Sequence, residues 1–204
     1  MRGGGLVIVR PCSISIWIYP TALAASPVGP TFFCLFNAGG TSGAYGFVNV
    51  TISNAVIVVD GSRNVTSSNT LNVGAWNHVV MVFNGDTSRA VYVNNTKTTG
   101  IADTLTFDFT AATQSSFGRY YDGTTSGQVW NGYLSDAAFY SVALSDADVA
   151  ALKAGASPFL VRPASLVNYY PLAGNLNPVN APSTSALTNI NSSPVSSINP
   201  RIYR

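Results

Sequence analysis

Ser13-Ile-Ser-Ile-Trp-Ile-Tyr19 alternates strictly, with Ile14, Ile16 and Ile18 on one side and Ser15, Trp17 and Tyr19 on the other. A period of two is that of a β-strand whose two faces meet different surroundings, and Pro20 ends it. Outward from this strand the same texture recurs. Further β-rich runs lie at 31–36, 45–50, 55–60, 78–83, 89–94, 104–109, 115–119 and 133–140. Gly, Asn, Asp and Ser clusters separate them, as sandwiches and barrels require. Asp60-Gly61, Asn84-Gly85 and Asn94-Asn95 are turn sites, because these residues tolerate positive φ.

One helix interrupts the strands. Ser145 can cap the amides of Ala147 and Asp148, Asp146 and Asp148 suit the positive N-terminal end, Val149 and Leu152 form an apolar stripe, and Gly155 stops it. From Pro158 the chain turns rich in Pro, Ser and Asn, although Val167–Leu172 still reads as a strand. The expected organisation is an N-terminal arm over 1–12, a sandwich over 13–173 and an extended C-terminal arm over 174–204. A segment of that last composition orders only against a partner surface, its own domain or a neighbouring chain.

Composition narrows the function. Charged residues are 9% of the 204, against roughly 25% in an average globular domain. All eight acidic residues are aspartates, and the ten basic ones are scattered for a net charge of +2. A nucleic-acid groove therefore finds no support. The longest apolar runs, such as Val79–Phe83, fall far below the ~20 residues that span a bilayer, so membrane insertion is not expected. Met1–Arg10 holds only four consecutive apolar residues, too few for the apolar core of a signal peptide. Cys12 and Cys34 read as buried thiols, with a single disulfide as the alternative.

Four segments, in order, resemble laminin G-like, concanavalin A-like jelly-roll domains. They are Ser13–Pro20, Gly74-Ala-Trp-Asn-His-Val-Val80, Val91-Tyr-Val-Asn-Asn95, and Trp130–Asp136 with Phe139–Ser145. The resemblance implies an all-β jelly-roll β-sandwich with one short helix. Asn95 stands where the family has glycine, and the strand that usually precedes residue 13 is reduced to a Gly-rich start. Val167–Leu172 is therefore expected to complete a sheet. Ser157–Leu172 and Asn199-Pro-Arg-Ile-Tyr203 are similar to C-terminal extensions in tailed-bacteriophage proteins. That likeness implies a virion structural protein, a capsid decoration or cement protein. Its sandwich and arms would contact other virion proteins such as the major capsid protein, and it would act as a homo-oligomer in the particle. The alternative is a carbohydrate-binding adhesin or lectin-like module of a tail or fibre that meets host surface glycans.

No enzyme is expected. Retaining glycosidases on this fold need two carboxylates about 5 Å apart, normally glutamates, and the chain has no glutamate. His78 is the sole histidine and no Gly-x-Ser-x-Gly elbow occurs, so His78 reads as a packing residue. Two separated cysteines and one histidine give no zinc spacing. Calcium is the one cofactor left open, through the loop aspartates Asp86, Asp103, Asp108 and Asp122, of which Asp103 and Asp122 are the leading candidates. Tyr120, Tyr121 and Asp122 with Trp130 make a candidate sugar platform, since sugars stack on aromatic faces while carboxylates accept their hydroxyl hydrogens.

Overall fold

A computed structural model describes residues 2–4, 9–22, 29–36, 46–50, 55–60, 63–85, 88–100, 114–121, 126–172, 179 and 187–188. Its strands form two antiparallel sheets face to face. The six-stranded sheet runs β14 (Leu166–Tyr170), β13 (Gly132–Tyr140), β2 (Cys12–Pro20), β7 (Asn77–Phe83), β8 (Arg89–Val93) and β9 (Thr96–Thr99). The seven-stranded sheet runs β15 (Leu187–Thr188), β1 (Arg2–Gly4), β10 (Gln114–Phe117), β3 (Thr31–Phe36), β4 (Gly46–Val50), β5 (Ala55–Asp60) and β6 (Arg63–Thr70). A short ribbon of β11 (Tyr120–Tyr121) and β12 (Ser126–Gly127) projects beside them. This is a β-sandwich, as the recurring short strands predict, and it is consistent with the jelly roll that the resemblance implies.

The inward side of β2 shows why the sheets meet. Ile14, Ile16 and Ile18 are buried in one apolar cluster with Phe33, Met81, Val91, Phe117 and Phe139. Phe33, Phe117, Phe139 and Tyr170, drawn from both sheets, pack ring on ring with centroids 5.1–6.2 Å apart. Tilted and edge-on pairs of this kind add to the apolar burial that drives the sheets together. On one side the sandwich is drawn shut by polar links from β6. Ser68 N–H donates to Thr98 Oγ1 at 2.8 Å and Asn69 Nδ2 to Val93 O at 3.1 Å.

The outward side of the six-stranded sheet carries a second apolar layer. Helix α1 (Asp146–Lys153) lays Val149 and Leu152 on Val80, Val82, Tyr92 and Tyr140. Its start is a capping box in which Ser145 Oγ accepts from Asp148 N–H, while the Asp148 carboxylate accepts from Ser145 N–H. Ala147 is not capped by this hydroxyl. The helix covers the face of the sheet. Among the described residues no helix is long and apolar enough to cross a membrane.

The turn chemistry follows the sequence where it is described. Asn94 and Asn95 adopt φ of 51° and 73° between β8 and β9, so asparagine does the work of the family's glycine. Residues 104–109 lie outside the described residues. β14 completes the six-stranded sheet against β13, as expected of Val167–Leu172. Within the two arms, Arg2–Gly4 pairs with Gln114–Ser116, and Leu187–Thr188 pairs with Arg2 and Gly3. Both stretches belong to the chain's own sheet, with Leu187–Thr188 as its edge strand and Arg2–Gly4 next to it.

Cys12 and Cys34 are both buried and form no disulfide, on strands of different sheets. Burial pushes the Cys12 thiol up to about 12, with Arg10 pulling weakly the other way. Because thiolate is the reactive form, native protein at pH 7.5 should leave Cys12 unalkylated by iodoacetamide over an hour, whereas denatured protein reacts in full. A thiol pKa raised in the folded state contributes stability below the unfolded value near 9 and loses it as pH rises toward about 12. Alkaline melts should accordingly show falling Tm above pH 9. Rapid native labelling of Cys12, found by peptide mapping, would contradict the burial.

Candidate functional site

The outward side of β2 carries Ser15, Trp17 and Tyr19, and their fates differ with distance from α1. Ser15 lies under the helical layer, 1% exposed. Trp17 is 7% exposed, with Lys153 Nζ of the helix 4.9 Å from its ring centroid. Tyr19 sits farther along the strand and is half-buried.

Sheet order then gathers rings from three remote parts of the chain. Tyr133 on β13 is in register with Tyr19, their ring centroids 5.7 Å apart. Trp76, just ahead of β7 on the other side of β2, stands edge-on to Tyr19 at 5.5 Å. All three are half-buried. Edge-on and tilted contacts satisfy the ring quadrupoles while leaving part of each face uncovered.

The backbone around these rings is held. Gly74 N–H donates to Pro20 O at 2.8 Å and Thr21 N–H to Asn131 O at 3.0 Å. Asn77 is fully buried and braces the loop before it, accepting from Asn72 N–H and donating to Asn72 O and Ala75 O, each at 2.9 Å. Asn94 Nδ2 in turn donates to Asn77 Oδ1 at 2.9 Å. Buried amides satisfied in this way fix Trp76 before any ligand arrives. Gly132 permits the close approach of β13 to β2, since a Cβ there would fall 1.9 Å from Tyr19 O.

The β11–β12 ribbon rises from the same end of the sandwich. Trp130 N–H donates to Gly118 O, and Thr31 N–H and Oγ1 donate to Gln128 O and Oε1, each at 2.7 Å. Val73 and Val129, 50% and 63% exposed, add apolar surface at this end.

The platform read from sequence is placed in part. Tyr120 pairs with Gly127 and is half-buried, and Tyr121 pairs with Ser126. Asp122 lies outside the described residues. Trp130 belongs to the core, 6% exposed and edge-on to Phe32 at 5.6 Å, so its faces are spent on packing and not offered to a sugar. The calcium candidates Asp86, Asp103, Asp108 and Asp122 all lie outside the described residues. Among the described residues no three His, Cys, Asp or Glu side chains gather as a metal would require.

Two groups with catalytic potential are engaged elsewhere. Ser15 Oγ is 2.9 Å from His78 Nε2, a serine–histidine contact that the sequence did not anticipate. Both are buried, at 1% and 0% exposure, and Trp17 stacks on the imidazole at 5.0 Å. A nucleophile needs an approach path, and the pair fills space between sheet and helix. Asp136, 0% exposed in a bulge at φ 51°, accepts hydrogen bonds from the Tyr169 and Ser135 hydroxyls.

Comparison with known proteins accords with this architecture. Residues 6–150 match the model of the concanavalin A-like lectin/glucanases superfamily. No curated protein is matched. Among solved structures, the chain is similar to a heptameric SAP-like pentraxin from Limulus polyphemus, at 20% identity and TM-score 0.58 over 73% of this chain and 72% of that one. It is similar to a putative carbohydrate binding protein from Bacteroides ovatus, at 20% identity and TM-score 0.61 over 85% of this chain and 48% of that one. It also resembles the CBM40 of a Ruminococcus gnavus IT-sialidase bound to α2,3 sialyllactose, at 16% identity and TM-score 0.57 over 72% of this chain and 84% of that one. At these identities the likeness shows a shared fold.

Proposed function

The chain belongs to the concanavalin A-like lectin/glucanases superfamily, and from that premise we propose that it is a non-catalytic carbohydrate-binding module whose glycan-contacting surface is the aromatic end of the sandwich. The observation that carries this reading is the convergence of Tyr19, Trp76 and Tyr133 at the end that also bears the Tyr120–Tyr121 ribbon. Sugar C–H faces stack on aromatic rings, and rings already fixed by neighbours lose little freedom on binding. The likeness to a CBM40 bound to α2,3 sialyllactose supports the reading at the level of fold.

We place the module in a virion, on a tail or fibre, on the strength of the Ser157–Leu172 and Asn199–Tyr203 segments. A capsid cement gripping neighbours by its arms is the weaker reading, because Arg2–Gly4 and Leu187–Thr188 pair within the chain's own sheet. Presence of the chain in purified particles, by mass spectrometry, checks the setting.

A glycan array followed by titration calorimetry tests the function. Wild type should bind at least one glycan, and Trp76→Ala and Tyr133→Ala should each weaken it tenfold or more while melting cooperatively. Tyr121→Ala gauges the ribbon's share. Absence of binding with and without calcium, or full binding by both ring variants, would overturn the proposal.

A further inference from the structure

We propose a second sugar-contacting site: a cavity of about 160 Å³ beside α1 on the outward face of β7, β8 and β9, which takes one neutral sugar ring through two adjacent hydroxyls. The inference stands whether or not the aromatic end binds a glycan, because it rests on different residues. The cavity is half-open to solvent and has room for several waters, on the scale of a single sugar ring. Val82, Ala90 and Leu144 give the cavity apolar lining, while Tyr92, Lys97 and Thr99 give it polar groups. Apolar walls with a few convergent polar groups are the pattern of small-molecule sites.

The polar groups are organised before a ligand arrives. Tyr92 hydroxyl and Lys97 Nζ both donate to Asp146 Oδ1, at 2.6 and 2.8 Å, and Lys97 lies 5.5 Å from the Tyr92 ring centroid. These hydrogen bonds, that of Lys97 foremost, hold the Asp146 carboxyl below the usual carboxylate range, so it is ionised at neutral pH. Its Oδ2 accepts no hydrogen bond among the described residues, and Lys97 retains further N–H donors. Asp146 does not itself line the cavity, but its bonds to the lining residues Tyr92 and Lys97 set an acceptor beside a donor there. Neighbouring sugar hydroxyls complement that pair, one donating to Oδ2 and the other accepting from Nζ. Asp146 offsets the Lys97 charge, and Arg89, which also lines the cavity, is buried and directs its Nη2 to Asn64 O on β6, so the site favours a neutral sugar over an anionic one.

The test is a chemical-shift titration of the full chain with methyl glycosides of glucose, galactose and mannose, with methyl sialoside as the anionic comparison. At least one neutral glycoside should perturb the amides of Tyr92, Lys97 and Thr99. Lys97→Met, which keeps the side-chain stem, and Asp146→Asn should each weaken that binding tenfold or more, and Trp76→Ala should leave it unchanged. The proposal is overturned if no neutral glycoside perturbs these amides, if both variants bind like wild type, or if the sialoside binds more tightly than every neutral probe.

Discussion

Replacing Gly132 with alanine should destabilise the fold by at least about 3 kcal/mol, the scale of a side chain forced against fixed backbone. The added Cβ would meet Tyr19 O at 1.9 Å, Tyr19 C at 2.9 Å and Pro20 Cα at 3.1 Å. These are main-chain atoms of a central strand, which cannot swing aside as the tip of a long side chain can. The φ of 149° adds strain that only glycine escapes. For a chain of this size, roughly 2–4 °C per kcal/mol gives a Tm lower by about 6–12 °C. A Gly132→Ala variant melting within 2 °C of wild type would show that β13 and β2 do not meet as described. Because Gly132 pairs with Pro20 next to the Tyr133–Tyr19 pair, the same substitution should also weaken glycan binding.

Phe139→Ala should cost about 3–5 kcal/mol, the range for emptying a buried phenylalanine site. Its ring is wholly buried and touches Phe33, Phe117 and Tyr170, so both sheets lose a partner at once. Phe159 is the control. It is 40% exposed and meets the edge of Tyr169 at 5.3 Å, and Phe159→Ala should cost under about 1 kcal/mol. Urea unfolding of both variants measures the contrast, and equal midpoints would contradict the assignment of the core.

Much of this fold was legible in single segments. The alternation of Ser13–Tyr19 put Ile14, Ile16 and Ile18 inside, and local capping chemistry set α1 after Ser145. Turn residues at Asn94-Asn95 marked a hairpin because the needed backbone conformation is a property of those residues alone. The candidate site was less legible because it is assembled by sheet order. Tyr19, Trp76 and Tyr133 are separated by more than fifty residues at each step, and only the order β13-β2-β7 makes them neighbours. Trp130 shows the opposite error. Closeness in sequence grouped it with Tyr120–Asp122, but its backbone N–H is bonded to Gly118 O and its indole packs inward onto Phe32. The Ser15–His78 contact was hidden in the same way, since it joins adjacent strands sixty-three residues apart.

The most direct test of the account is a crystal structure of the chain soaked with the tightest-binding oligosaccharide from the array. The account predicts a sugar ring stacked against Trp76 or Tyr133 at the end of the sandwich that bears the Tyr120–Tyr121 ribbon. An oligosaccharide seated elsewhere on the sandwich, with the Tyr19–Trp76–Tyr133 cluster untouched, would contradict it.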